Sequence, residues 1–224
     1  MVSTMSNLFA AVGLPLLVGS IISGTALADD QWPSINSPEL GHGPYSYMHM
    51  LLQKTILRIN VATIEVRVDK EAQARLEAQG HDKSYSEALA TQLTQTILDA
   101  KRAVVQMRFA RDVSLKRWMG VVHENMEQAR AAALIDANLE RRVKEGLPQW
   151  FAALKDRGYQ KGDRLIYAVS PAGTRSMVIS ASGQVLVDRT DTEPSARRIV
   201  LAGYFAPKSD FREPLLRYLL EKKL

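Results

Sequence analysis

The chain offers few side chains that could do metal or nucleophilic chemistry. It has four histidines, at 42, 49, 81 and 123, and no cysteine. No two histidines stand four residues apart, so no helix face presents an imidazole pair to a metal. Without cysteine there is no thiolate ligand, no thiol nucleophile and no disulfide. Met48-His49-Met50 combines thioether and imidazole, the donors that favour soft copper. Neighbours on a strand point to opposite faces, so these three cannot converge. Asp188, Asp191 and Glu193 form a small acidic cluster, read as turn and helix-cap chemistry rather than a metal site. His123, beside Glu124, falls off the apolar helix stripe and is expected to be exposed. No metal and no cofactor is expected. Glycine-rich phosphate loops, a G-x-S-x-G elbow and an H-E-x-x-H helix are all missing from the sequence.

Arginines are the more informative group. Arg108 and Arg111 lie in a strand-like stretch, out of step with its period of two, so one faces each side. An arginine entering a core layer needs a carboxylate or an anionic ligand, because an unpaired buried charge is very costly. The first reading is an ion pair with an acid such as Asp112, and the second is a ligand carboxylate.

These residues must be positioned by a framework whose signals are clear. Residues 29 to 44 hold Pro33, Pro38, Pro44, Gly41 and Gly43 among polar residues, which predicts an irregular arm. Residues 54 to 68 are β-branched and suggest one or two strands joined near Asn60. Ser84-x-x-Glu87 is a capping-box pattern. It opens a helix with Leu89, Leu93, Ile97 and Ala100 on one face. Residues 103 to 113 read as a strand, with Met107 and Phe109 on one face. Ser114 caps a second helix, on which Leu115, Trp118, Met119, Val122 and Met126 recur at helical spacing. Residues 136 to 145 predict a short charged helix stopped by Gly146, and Pro148 suits the start of another through Leu154. Residues 163 to 188 form the clearest strand region, turning at Pro171-Ala172-Gly173 and Ser182-Gly183. Closing helices are expected at about 193–205 and 210–222, the second capped through Asp210-x-x-Glu213. Too few βα units alternate for a doubly wound sheet. The order predicts an α+β fold with an antiparallel sheet covered by helices on one face.

The N-terminus carries its own signal. Leu8 to Ile22 is an uncharged apolar run, followed by Ala26-Leu27-Ala28. Small residues at those two alanines fit a signal-peptidase site, so residues 1–28 are expected to be removed and the protein to act in the periplasm or outside the cell. The run is shorter than the roughly 20 apolar residues a membrane span needs. No span is expected after cleavage, and the absence of cysteine rules out a lipidated N-terminus. Residues 29–53 are then the arm and 54–224 one domain, a length that buries a sufficient core. The net charge of +5 is interspersed along the chain. That predicts a solvated basic surface and no nucleic-acid partner.

The stretches RFARDVS, GLPQWFAALKDRGYQKGDRLIYAVSPAGTRSMVISASGQVL and GYFAPKSDFREPLL resemble the chalcone isomerase family, in particular its bacterial exported members. Shared features are Phe109, Arg111 and Asp112 at a strand end, Lys161-Gly162-Asp163, Ser170-Pro171 with Gly173, and the Gly183 turn. Gly203, Tyr204, Phe205 and Pro207 complete the set, and the resemblance spans about residues 54 to 222. It implies an open-faced β-sandwich, a curved antiparallel sheet layered with helices, with a ligand cleft between the layers.

It does not imply the isomerase activity. Plant chalcone isomerases use a cleft Arg ahead of the first long strand, and a Tyr and an Asn seven residues apart. Here no Tyr lies between Tyr85 and Tyr159, and no Arg between Gly43 and Ile56. Cyclisation would lack its cationic and acid groups, so no catalytic residue is assigned. Some plant relatives of this fold bind fatty acids, which implies an exported, non-catalytic protein taking an apolar ligand such as a fatty acid. Arg58 and Arg108 are the expected carboxylate partners, with Tyr45 and Tyr47 as hydroxyl donors. Two alternatives stay open: an isomerase or lyase using other residues of the cleft, and a scaffold whose cleft is closed by Trp118, Met119, Trp150 and Phe151.

Overall fold

The computed structural model describes residues 32–43, 45–54 and 59–222. The expected leader and Arg58 lie outside the described residues.

Alternation builds the sheet. In β2 (Ile59–Val68) every second residue from Ala62 to Val68 is buried while its neighbours stay partly open, the pattern of a strand with one covered face. The same holds, with interruptions, in β1 (Tyr47–Lys54), β3 (Ala103–Phe109), β4 (Arg164–Ser170), β5 (Gly173–Ile179) and β6 (Val185–Asp191). The six strands pair antiparallel in strict chain order. Gly173 opens β5 at φ 134°, where a side chain would also run into the backbone of Asp191. Only glycine fits that turn.

Helices fill the connections: α1 (Lys70–Gly80) and α2 (Glu87–Leu98) before β3, and α3 (Leu115–Ala131) and α4 (Ala137–Trp150) before β4. After β6 come α5 (Ser195–Phe205) and α6 (Arg212–Glu221). Side-chain caps start four of them, from Asp69, Ser86, Ser114 and Asp136, each satisfying an orphan N–H of the first turn. The buried residues of all six helices join one core with the inner face of the sheet. On the outer face Trp32, Ile35 and Leu40 of the arm pack against Val104, Ile166 and Ala168. This is the α+β arrangement expected. Among the described residues no helix is long and apolar enough to cross a membrane.

Local differences have physical reasons. The arm is shorter than residues 29–53, because Tyr47 to Lys54 pairs with β2 as the edge strand. Asn60 lies inside β2, and its amide oxygen accepts a bond from Gln53 across the pair. The capping serine of α2 is Ser86 rather than Ser84. Helix α1 was not signalled, since it buries only Ala72, Leu76 and Gly80. Beyond Phe109 the chain leaves the strand. Gly146 does not stop a helix: α4 runs on through Pro148 to Trp150. Any side chain at 146 would overlap the Trp150 ring, so the glycine makes room for an indole one turn on. The N-cap position of α6 is Phe211, with no side-chain cap. His123 is half-buried, and its Nε2 has no partner.

Candidate functional site

The inner face of the sheet changes character from one side to the other. On β1 to β3 it is built from Met48, Met50, Ile64, Val66, Val105 and Met107, all buried. On β4 to β6 polar residues take inner positions. Register sets Tyr167 opposite Ser176, and Ser176 opposite Arg189. Three neighbouring strands thus present a Tyr–Ser–Arg row, with successive Cβ atoms about 5 Å apart. In the next row Thr174 faces Asp191.

Above this floor lies a cavity of about 340 Å³. Trp118, Val122 and Met126 of α3, Val143 and Leu147 of α4, and Val200 of α5 roof it. Along the strands it extends from the row of Thr174 to that of Phe109, which spans Ala103 to Phe109 on β3. Six strand steps are about 20 Å. The shape is therefore long, apolar over most of its walls and polar at one end.

The polar end is short of partners. Thr174 is 2% exposed, and its Oγ1 has no hydrogen-bond partner. A buried hydroxyl left unpaired costs about 1–3 kcal/mol. The side chains of Tyr167 and Ser176 make no hydrogen bond among the described residues. Burial pushes the Tyr167 phenol well above its ordinary value, so it stays protonated and can donate. Arg189 spends one Nη2 bond on Asp191, at 3.2 Å, and lays its guanidinium 4.2 Å over the Trp150 ring.

Asp191 is not free to act. Arg142 on α4 reaches its Oδ2 at 2.5 Å and bridges on to Glu193 at 2.6 Å. Burial opposes the Asp191 charge, but the Glu193 N–H, Arg142 and Arg189 outweigh it and hold the carboxyl below its usual range. These bonds fasten α4 to the end of β6. Trp150 and Arg189 also line a shallow outer groove with Arg141, Arg142 and Glu145. Their stacked pair is the partition between that groove and the cavity. At the opposite end the exposed Arg117 touches the cavity, with no side-chain partner among the described residues.

The expected site residues are not gathered here. Arg108 is exposed on the outer face, because the even positions of β3 point away from the helices. Tyr47 meets Tyr218 edge-on at 5.7 Å and lies under the Arg67 guanidinium at 4.7 Å. Burial and Glu65 push its hydroxyl up to about 12. Tyr45 packs beside Gly80, where α1 meets α6. None of the three touches the cavity. Met48 and Met50 point into the core and His49 away from it. Trp118, Trp150 and Phe151 wall the cavity rather than close it, with Trp118 and Phe151 edge-on at 4.7 Å. Asp188 pairs with Arg175 at 2.8 Å, so arginines occupy the acidic cluster. Among the described residues no group of three or more His, Asp and Glu is arranged to hold a metal.

The residues that do meet are Tyr167, Thr174, Ser176 and Arg189. Their signal was polar side chains at alternate positions of three strands, and only the observed pairing, with its irregularity between Val178 and Ile179, brings them into one row.

No family model matches the chain, and no curated protein matches it in sequence. Among solved structures it is similar to a fatty-acid binding protein of Arabidopsis thaliana. The identity is 12% and the TM-score 0.51, over 78% of this chain and 85% of that one. At such identity the likeness speaks to architecture, and it agrees with the sheet and helix layers described above: the chain has the chalcone isomerase-type fold.

Proposed function

We propose that this chain is an exported, non-catalytic binding protein that takes an elongated apolar ligand with one carboxylate, such as a fatty acid. The observation that carries this reading is the long cavity with unpartnered hydroxyls and a guanidinium at one end. Apolar walls take the chain by the hydrophobic effect. Arg189 supplies a charge-assisted bond to the carboxylate, and Tyr167, Ser176 and Thr174 supply hydroxyl donors. The Arabidopsis protein of the same fold is named for binding fatty acids, which supports the ligand class. The competing reading is an isomerase using other residues of the same cavity. It requires a general base, and the cavity carboxylate, Asp191, is already engaged by two arginines.

Mass spectrometry of lipids extracted from the native protein tests the ligand class, with a carboxylic acid of long chain as the expected species. The head-group site is tested by comparing palmitic acid with its methyl ester. The parent should prefer the acid, and Arg189→Gln should lose about 1.5–3 kcal/mol of acid binding, the worth of a charged hydrogen bond, while ester binding holds. Unchanged acid binding in the variant would place the head group elsewhere. Export is tested separately: protein recovered outside the cytoplasm should begin at Asp29, whereas a chain starting at Met1 and retained in membranes would overturn it.

A further inference from the structure

One end of the sheet combines two kinds of residue that the fold does not need there. Leu51, Ile59 and Val185 are 42%, 38% and 54% exposed, and they are the exposed large hydrophobic residues among those described. Scattered apolar residues are ordinary on a surface. These three share one end: Ile59 opens β2, Val185 opens β6, and Leu51 lies near the close of β1. They stand on both flanks of a rim six strands wide, about 24 Å across.

Cations fill the middle of the same rim. Residues 108–117 and 159–164, which form its strand ends, its loops and the start of α3, contain Arg108, Arg111, Lys116, Arg117, Lys161 and Arg164. Their acids are Asp112 and Asp163, and Asp163 is already paired with Arg157 at 2.7 Å. The six cations have no ion pair among the described residues. Two placements are unfavourable in isolation. Arg108 stands directly opposite Arg164 across β3 and β4, a like-charge pair that costs stability. Lys116 and Arg117 occupy the first turn of α3, where the helix dipole is already positive. An external anionic surface relieves both.

We propose that this end of the sheet docks on an anionic lipid bilayer, with Leu51, Ile59 and Val185 entering the headgroup region and the six cations on the phosphates. Each lysine or arginine near such a surface strengthens binding about fivefold, and shallow apolar insertion supplies the rest. A bilayer fits better than a single small anion, because the cations spread along a rim flanked by apolar tips. Arg117 belongs to the rim and also touches the cavity, so docking sets that end of the cavity against the lipid. The purpose of docking rests on the ligand-binding reading, since a bilayer is a source of fatty acid. The docking itself does not.

The test is sedimentation of the protein from residue 29 onward with vesicles of phosphatidylcholine alone or with phosphatidylglycerol. Binding should require phosphatidylglycerol and fall as salt rises. The triple change Arg108→Glu, Arg111→Glu and Lys161→Glu should lower it at least about 100-fold. The pair Leu51→Ser and Val185→Ser should lower it about tenfold. Both sets keep cavity residues intact, so palmitic acid binding in detergent-free solution, together with melting temperature, should match the parent. Failure of that solution binding in the parent would count against the ligand reading and leave docking standing. Equal sedimentation with both vesicles, none with either, or parental behaviour of the triple variant would overturn docking. So would binding to duplex DNA as tight as to the anionic vesicles, or a dimer that dissolves when Leu51 and Val185 are changed.

Discussion

The inner face of one sheet supports two different interiors. Under α1, α2 and α6, Ile64 and Val66 of β2 share one core with Leu76, Leu93, Ile97 and Leu215, all fully buried. Under α3, α4 and α5 the same alternation leaves a hollow walled by aromatic rings and floored by hydroxyls and an arginine. Backbone geometry is common to both halves, so the difference lies in the side chains. A filled half holds the fold, and that tolerates a second half whose polar groups are left waiting for a partner. Protein interiors are close-packed, and a polar-ended void is stable only if the surrounding packing over-determines it.

The contrast is broken most directly by deletion. Leu93→Ala in the filled half should cost about 2–5 kcal/mol in urea unfolding, since a new void opens among fixed neighbours. Val187→Ala, on the hollow side, should cost about 1 kcal/mol, because its far side already faces empty space. Equal losses would mean that the hollow collapses in solution. Enlargement gives the mirror test. Val66→Trp should destabilise by about 1–3 kcal/mol or more through overpacking. Val187→Trp should change stability by less than about 1 kcal/mol and abolish fatty-acid binding. A destabilised Val187→Trp that still binds would show that the cavity is not the ligand site.

A finer test uses the unpartnered hydroxyl. Thr174→Val keeps shape and removes a buried group without a bond, so the ligand-free protein should gain about 1 kcal/mol. Its affinity for palmitic acid should fall at the same time, and two effects of opposite sign separate a ligand group from a structural one. The smallest effect concerns His123 on the roof helix. Burial and the nearby Lys144 hold its imidazole below the ordinary value of 6.5. The unfolded chain then takes up that proton before the folded one does, so this contribution is complete above about pH 6.5 and is lost as pH falls through the folded value. His123→Gln should flatten the melting temperature between pH 7 and 5 relative to the parent. A parallel slope in both would mean that the ring is solvated.

The hairpin turns and the starts of α3 and α4 were legible because each depends on local chemistry. Gly173 and Gly183 mark hairpins, Ser114 caps α3, and Leu89, Leu93 and Ile97 repeat at helical spacing. Helix α1 was hidden because its buried face is only three residues wide. Gly146 was misread because a glycine that stops a helix and one that shelters an indole look alike until Trp150 is placed. The site was less legible than the fold. Arg108 drew attention as a charge in an apolar strand, yet its parity turns it outward. Arg189 and Ser176 were overlooked because each looks unremarkable alone, and only the pairing of β4, β5 and β6 aligns them with Tyr167. The long apolar cleft between the layers followed from the resemblance, while the chemistry at its end required register.

Arg212 begins the last helix and is 4% exposed. Its guanidinium reaches Glu87 at 2.7 Å and Thr91 and Thr94 at 3.3 and 3.4 Å, so the final helix is bolted to α2. The same helix packs along β1, the first strand. Synthesis delivers these two pieces at opposite times. A chain emerging from its N-terminus can pair β1 with β2 early, but the flank of that hairpin stays uncovered until α6 arrives. Completion of the native state therefore waits for α6, and a chain interrupted before Arg212 retains an open seam along β1.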